Sequence, residues 1–163
     1  NAADEINKLV LANLFNAETS LATVKFDNGE RGIDTEICCG MRVVITQNRD
    51  KENNVINGQM AKIYTMHNSS IILQLSSTRK LVTVYPVTMK RHTYVVTLYP
   101  LRLAYANTMC KAQGQTLPKA ALWFDIENIP PGSAYVALSR VKKLADIFFI
   151  TPLKPAFFRP VTF

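Results

Sequence analysis

The stretch that most constrains what this chain can fold into runs from Pro100 to Lys143: PLRLAYANTMCKAQGQTLPKAALWFDIENIPPGSAYVALSRVKK. Its apolar run Ala121-Leu122-Trp123-Phe124 has the length and bulk of a buried strand, and predicts a strand over Ala121 to Ile126. Pro130-Pro131-Gly132 is a loop signal and Ser133 a good N-cap. Ala134, Ala137, Leu138 and Val141 then fall at i, i+3, i+4 and i+7, the apolar stripe of a short helix with Arg140 off its centre. Ile147 to Ile150 reads as the next strand. Strand, crossover helix and strand predict a parallel pair of right-handed connection, with ligands at the strands' C-terminal ends. Upstream, a helix over Ala106 to Gln113 is stopped by Gly114. That polar, Gly-broken segment could bring backbone amides and Lys111 close to phosphate.

In front of this α/β segment lies a module whose signals are all β. Met41 to Thr46, Gln59 to Thr65, Ser70 to Leu75, Lys80 to Val87 and Tyr94 to Leu98 are rich in β-branched and aromatic residues. Turns at Asn57-Gly58, His67-Asn68-Ser69 and Ser76-Ser77-Thr78 separate them. Short strands this dense, about five in roughly sixty residues, predict a small closed barrel that protects its own edges. A short extended piece at Leu101 to Leu103 leads out of it. At the start, Ile6, Leu9, Val10 and Leu14 hold helical spacing and place a helix over Ala2 to Leu14. Asn1 stands in the N-cap position and Asp4 in that of the capping box, so the sequence reads as part of a longer polypeptide. Phe15 to Ile37 lacks clear periodicity and reads as an extended connector, with a turn at Asp27-Asn28-Gly29.

At 163 residues the chain can bury one sizeable core, or a core and a satellite module. No apolar run approaches the roughly 20 residues of a membrane span. The formal charge of +7 is unevenly placed: no Asp or Glu occurs between Asn54 and Asp125. Lys62, Arg79, Lys80, Lys90, Arg91, Arg102, Lys111 and Lys119 all fall in that block. A one-sign block fits a polyanionic partner, nucleic acid best of all, with a solvated basic face as the plain alternative. Cys38, Cys39 and Cys110 make a poor disulfide framework and read as reduced thiols of an intracellular protein. With only His67 and His92 beside them, no zinc-like spacing arises, and no protein-bound metal is expected.

The segments Ala106 to Leu117 and Ala134 to Val141, ANTMCKAQGQTL and AYVALSRV, resemble the last two conserved motifs of superfamily 1B DNA helicases of the RecD and PIF type. Order and spacing match, as does the PLRLAYA lead-in. CCGMRVVITQNRDKENNVINGQMAKI is similar to the segment that opens an inserted SH3-like barrel in that group, with Gly40, Asn48, Asn57 and Gly58 on matching positions and Ala61 in place of a glycine. The resemblance implies an α/β fold. Residues 1–36 and 99–163 would form a discontinuous second RecA-like motor domain with a parallel sheet. Residues 37–98 would form the inserted SH3-like barrel.

By the same resemblance the chain is the C-terminal half of an ATP-dependent 5′→3′ DNA helicase, of the kind used in DNA repair, recombination and replication. Arg140 takes the part of the arginine finger, and with Gln113 and Gly114 it belongs to the nucleotide-facing set. Asn107, Thr108 and Lys111 fall near the DNA backbone, and Asn57 and Lys62 of the barrel join the nucleic-acid-binding set. Cys110 departs from the pattern, which has His there, so that contact is lost or moves to Asn107. ATP and Mg²⁺ are the implied cofactors, held mainly by an N-terminal RecA-like domain, because this sequence contains neither a GxxxxGK[ST] loop nor an acidic pair for Mg²⁺. The expected partners are single-stranded DNA and that domain of the same protein, in a monomer with no membrane association. Nucleus, mitochondrion and cytoplasm all stay open. The alternative is a non-catalytic nucleic-acid-binding module that keeps a helicase-like scaffold.

Overall fold

The computed structural model describes residues 2–15, 17–53, 55–91, 93–124 and 129–159. Its internal packing divides the chain into two units, Asn1–Ala106 and Asn107–Phe163. The expected cap at Asn1, the acids Asp125 and Glu127, and the last residues of the tail lie outside the described residues.

In the first unit α1 spans Ala2–Leu14, as its spacing predicts, with Asp4 and Glu5 in the first turn where the helix dipole favours acids. The expected connector between Phe15 and Ile37 is instead largely an antiparallel hairpin, β1 (Ser20–Phe26) on β2 (Ile33–Cys38). Val24 and Phe26 of β1, and Thr35 and Ile37 of β2, turn inward while Thr23, Lys25, Asp34 and Glu36 pair across the ladder. The period of two was present but carried partly by Ala and Thr, so the run looked aperiodic. The turn falls where Asp27-Asn28-Gly29 signalled it. Asp27 Oδ1 accepts from the Gly29 amide at 2.9 Å, and Asn28 Oδ1 from the Glu30 and Gly32 amides.

The β module follows as β3 (Arg42–Ile45), β4 (Met60–His67), β5 (Ser70–Leu75), β6 (Leu81–Val84), β7 (Val87–Arg91) and β8 (Tyr94–Leu98), and β9 (Leu101–Leu103) returns to it. The run expected as one strand from Lys80 to Val87 is broken. Pro86 brings no N–H to a ladder, so β6 ends at Val84 and β7 begins at Val87. Among the described residues the ladders form a five-stranded sheet, β6-β5-β4-β3-β9, and a separate β7-β8 pair. One face of the larger sheet, with Val43, Ile45, Ile63, Ile71, Leu73 and Leu75, is almost fully buried against Phe26, Ile37 and Met41.

The hairpin is tied to this sheet through a buried acid. Asp27 is 8% exposed; its amide donates to Leu101 O at 2.9 Å, and its Oδ2 accepts from Thr46 Oγ1 at 2.8 Å.

The second unit carries α2 (Met109–Ala112), β10 (Ala120–Leu122), α3 (Ser133–Leu138) and β11 (Ile147–Phe149). β10 and β11 are parallel, Ala120 opposite Ile147, as the strand–helix–strand pattern predicts. The helix expected over Ala106 to Gln113 is a single turn that starts at Met109, and β10 starts at Ala120 and ends at Leu122. Ser133 is not the cap of α3. It is already the first residue of the helix, and Gly132, at φ 80°, stands in the cap position with no side chain to make a cap bond. Phe124, Ile129, Ala134 and Phe157 form a small core, the two Phe rings 5.0 Å apart. Among the described residues no helix is long and apolar enough to cross a membrane.

Asp27→Ala should strand the Gly29 amide and the Thr46 hydroxyl in a part-buried setting. We expect a loss of about 1–3 kcal/mol, read as a lower urea midpoint at unchanged m-value, with a smaller loss for Thr46→Val. A midpoint that does not move would show that the acid does not tie the hairpin to the sheet.

Candidate functional site

The two polar motifs meet through their backbones. Leu117 and Val141 form a parallel bridge, and the Leu117 amide donates to Arg140 O at 2.8 Å. Arg140 is half-buried, and its guanidinium folds back along α3. Nε donates to Val136 O at 3.0 Å, one terminal nitrogen to Ser139 Oγ at 2.8 Å, and the other reaches Gln115 O at 3.5 Å. Those contacts engage at most three of the roughly five N–H donors of a guanidinium. Gln115 Oε1 is buried beside this junction with no hydrogen-bond partner among the described residues.

Gln113 and Gly114 lie at the end of α2, both exposed. Gly114 sits at φ 81°, and a Cβ there would meet nothing within 4 Å, so the glycine is required by backbone conformation and not by crowding. Thr108 is the N-cap of α2 but makes no side-chain cap bond, which leaves its hydroxyl outside the helix's own accounts. Lys111 and Cys110 are exposed on the same turn, and Asn107 is half-buried just before it. All of these belong to the second unit, within about ten residues of one another along the chain.

Asn57 and Lys62 belong to the first unit. Asn57 is exposed in the turn before β4, its amide bound to Asn48 Oδ1 at 2.9 Å. Lys62 is exposed on β4, directly across from Arg42 of β3. Not all cations of the acid-free block share a face. Lys80 in the β5–β6 turn donates to Asn53 Oδ1, while Lys90 is on β7 of the separate hairpin. In the loop between β3 and β4 the Asp50 carboxyl is held below its usual range, first by the Asn53 side-chain amide and then by the Asn53 backbone N–H. Among the described residues no three His, Cys, Asp or Glu side chains gather as metal ligands would.

Asn7 is the residue that the sequence reading did not single out. It is 4% exposed; its Oδ1 accepts from the Tyr105 and Ala106 amides at 3.1 and 2.9 Å, and its Nδ2 donates to Ala106 O at 3.0 Å. It thereby fixes the backbone that leads directly into the Asn107-Thr108 segment. The available signal was its place on the apolar face of α1, three and four residues before Val10 and Leu11, where a polar group requires partners.

No protein-family model matches the chain. Over 53 residues, 32% of this chain, it is 47% identical to the ATP-dependent DNA helicase Pif1 of Bdellovibrio bacteriovorus, and the match takes in 12% of that protein. Its fold matches a solved structure of DNA unwinding at forked double-stranded DNA by two coordinating Pif1 helicases. The TM-score is 0.76 at 22% identity over 97% of this chain and 40% of that one. Pif1 helicase from Bacteroides, solved with ADP-AlF3 and single-stranded DNA, matches with a TM-score of 0.72 at 21% identity, over 98% of this chain and 40% of that chain. The chain therefore resembles PIF-type helicases of superfamily 1B in both sequence and fold, and spans about 40% of the length of the solved ones.

Asn7→Ala should leave the Tyr105 and Ala106 amides without their acceptor, at a cost of about 1–3 kcal/mol. Hydrogen exchange at these two amides should speed up, while Asn7→Asp, which keeps the acceptor, should retain most of their protection. Unchanged exchange in Asn7→Ala would show that other contacts fix this segment.

Proposed function

We propose that this chain is the C-terminal motor segment of an ATP-dependent 5′→3′ DNA helicase of the PIF type. In this reading residues 1–36 and 99–163 make the second RecA-like domain, with residues 37–98 as an inserted SH3-like barrel. The observation that carries it is the junction of the two motifs, where the Leu117 amide is bonded to Arg140 O and the Arg140 guanidinium reaches Gln115 O. Segments that must act together on one nucleotide need a fixed mutual position, and a backbone bond supplies it.

ATP, with Mg²⁺, supplies the phosphoryl group whose hydrolysis drives movement, and in this proposal both are held mainly by the preceding RecA-like domain. The donors present here fit an oxyanion: Arg140 keeps N–H groups beyond those spent on Val136, Ser139 and Gln115. A guanidinium stays protonated at every relevant pH and presents its donors in one plane, the form that suits charge spread over phosphoryl oxygens. Gln113 and Gly114 follow α2 directly, so a change at the nucleotide side is passed along one helical turn to Thr108 and Lys111. Those two, with Asn107, offer amide, hydroxyl and ammonium donors to the phosphates of a single strand, and Asn57 and Lys62 would add contacts from the barrel.

The test takes two proteins. The 163-residue chain alone should show no ATPase above background, since it contains no phosphate loop. In the full-length protein Arg140→Ala should lower DNA-stimulated turnover by about 10³-fold or more with little change in ATP affinity, and Arg140→Lys should recover little of it. Single-strand binding without nucleotide and the melting temperature should stay close to wild type. Near-normal turnover in a well-folded Arg140→Ala protein would remove the finger assignment. A full-length protein with no ATPase at all would favour a non-catalytic nucleic-acid-binding module on the same scaffold.

A further inference from the structure

Gln115 lies in the first of the two motifs, and the proposed chemistry uses only its backbone carbonyl. Its main chain is held from both sides. The Gln115 amide donates to Ala112 O at 3.1 Å, at the end of α2, and its carbonyl is reached by an Arg140 terminal nitrogen at 3.5 Å. Two residues on, the Leu117 amide is bonded to Arg140 O, so main-chain contacts alone set the register of Gln115 against Arg140. The side chain is a different matter. Its Oε1 is shut off from solvent and has no hydrogen-bond partner among the described residues. A buried acceptor without a donor is a net cost and calls for an explanation in a native fold.

The surroundings decide which donor could reach it. An oxygen with no exposed surface is not open to a free ligand or to bulk water, so the donor has to be a neighbouring side chain that moves. Arg140 qualifies. Its Nε and one terminal nitrogen lie 3.0 and 2.8 Å from Val136 O and Ser139 Oγ. The other terminal nitrogen, 3.5 Å from Gln115 O, is beyond the usual length of such a bond. The most weakly held corner of the fork is therefore the one already directed at Gln115.

We infer that Gln115 is a positioning residue for Arg140: its side-chain oxygen takes a terminal N–H of the guanidinium when the fork leaves Val136 and Ser139 for an oxyanion. The inference rests on the arginine-finger reading given above and adds a residue to it. A guanidinium that gave up all its contacts at once would turn freely about its last bonds, and the planar aim that suits a phosphoryl oxygen would be lost. One bond kept to Gln115, whose main chain is fixed, holds one corner of the fork and directs the opposite corner outward. The oxygen is unpaired in the resting arrangement and satisfied in the engaged one. A bond made only in the engaged state raises turnover and leaves substrate affinity alone.

The test is the DNA-stimulated ATPase of the full-length protein with Gln115→Met, which keeps the length of the side chain and removes the acceptor. Turnover should fall about 10- to 150-fold, the worth of a hydrogen bond to a charged group, with the KM for ATP unchanged. The melting temperature should stay the same or rise, because an apolar group replaces an unsatisfied buried acceptor. In an Arg140→Ala background the same substitution should cause no further loss, since the oxygen acts only through the guanidinium. A clearly lower melting temperature in Gln115→Met would make the oxygen a structural group and overturn the inference. So would a loss of turnover equal in size with and without Arg140. If Gln115→Met leaves turnover intact while Arg140→Ala abolishes it, the positioning role is wrong and the finger reading stands. If Arg140→Ala itself keeps near-normal turnover, or the unsubstituted full-length protein has none, both fail.

Discussion

The antiparallel pairing of β9 with β3 is the constraint on which the rest of the first unit depends. Val43, Val44 and Ile45 lie opposite Leu103, Arg102 and Leu101. This joins residues separated by the whole β module. Closing such a loop costs entropy that grows only slowly with its length, so the excursion between the paired strands can be large without undoing the pairing. The same place receives the hairpin. The Tyr99 amide donates to Lys25 O, the Asp27 amide to Leu101 O and the Thr46 amide to Pro100 O. Three segments distant in sequence are therefore hydrogen-bonded within a few residues of β9. Asn7 then holds Tyr105 and Ala106, so the last residues of this unit are tied to α1 as well as to the sheet.

That arrangement explains which parts of the fold could be read from the sequence. The strands of the β module were legible because most have a buried face of β-branched or aliphatic residues, Ile71, Leu73 and Leu75 in β5 for example, flanked by turn residues. The split at Pro86 was also available, since proline cannot donate to a ladder, yet the β-branched residues on both sides of it obscured the break. The β1–β2 hairpin was hidden for a different reason. Its inward positions include Thr35 and Ala22, whose side chains carry little hydrophobic signal, and its tie to the sheet runs through Asp27, an acid that only its partners make tolerable inside.

The site was legible to a different degree. The two motifs between Ala106 and Val141 stood out as stretches, and so did the candidate residues within them. What a linear reading could not give was their junction. No periodicity encodes that the Leu117 amide will find Arg140 O, or that Ser139 and Gln115 will receive the guanidinium. Asn7 is the extreme case: one asparagine in an amphipathic helix says only that a polar group faces inward. Its partners, 98 and 99 residues further along, follow from the completed fold.

Arg140 illustrates why the backbone and the side chain of one residue have to be argued apart. Its carbonyl accepts from Leu117 and holds the two motifs together, whatever side chain stands at this position. Its guanidinium rests on Val136 O and Ser139 Oγ, acceptors supplied by α3 and by the residue that ends it. Contacts of that local kind run from a charged donor to neutral acceptors, and in the proposed reading they can be exchanged for stronger bonds between opposite charges without moving the main chain. The junction is therefore compatible with a side chain that redirects its donors while the scaffold beneath it stays fixed. This is the physical condition under which a substitution at Arg140 reports on chemistry and not on folding.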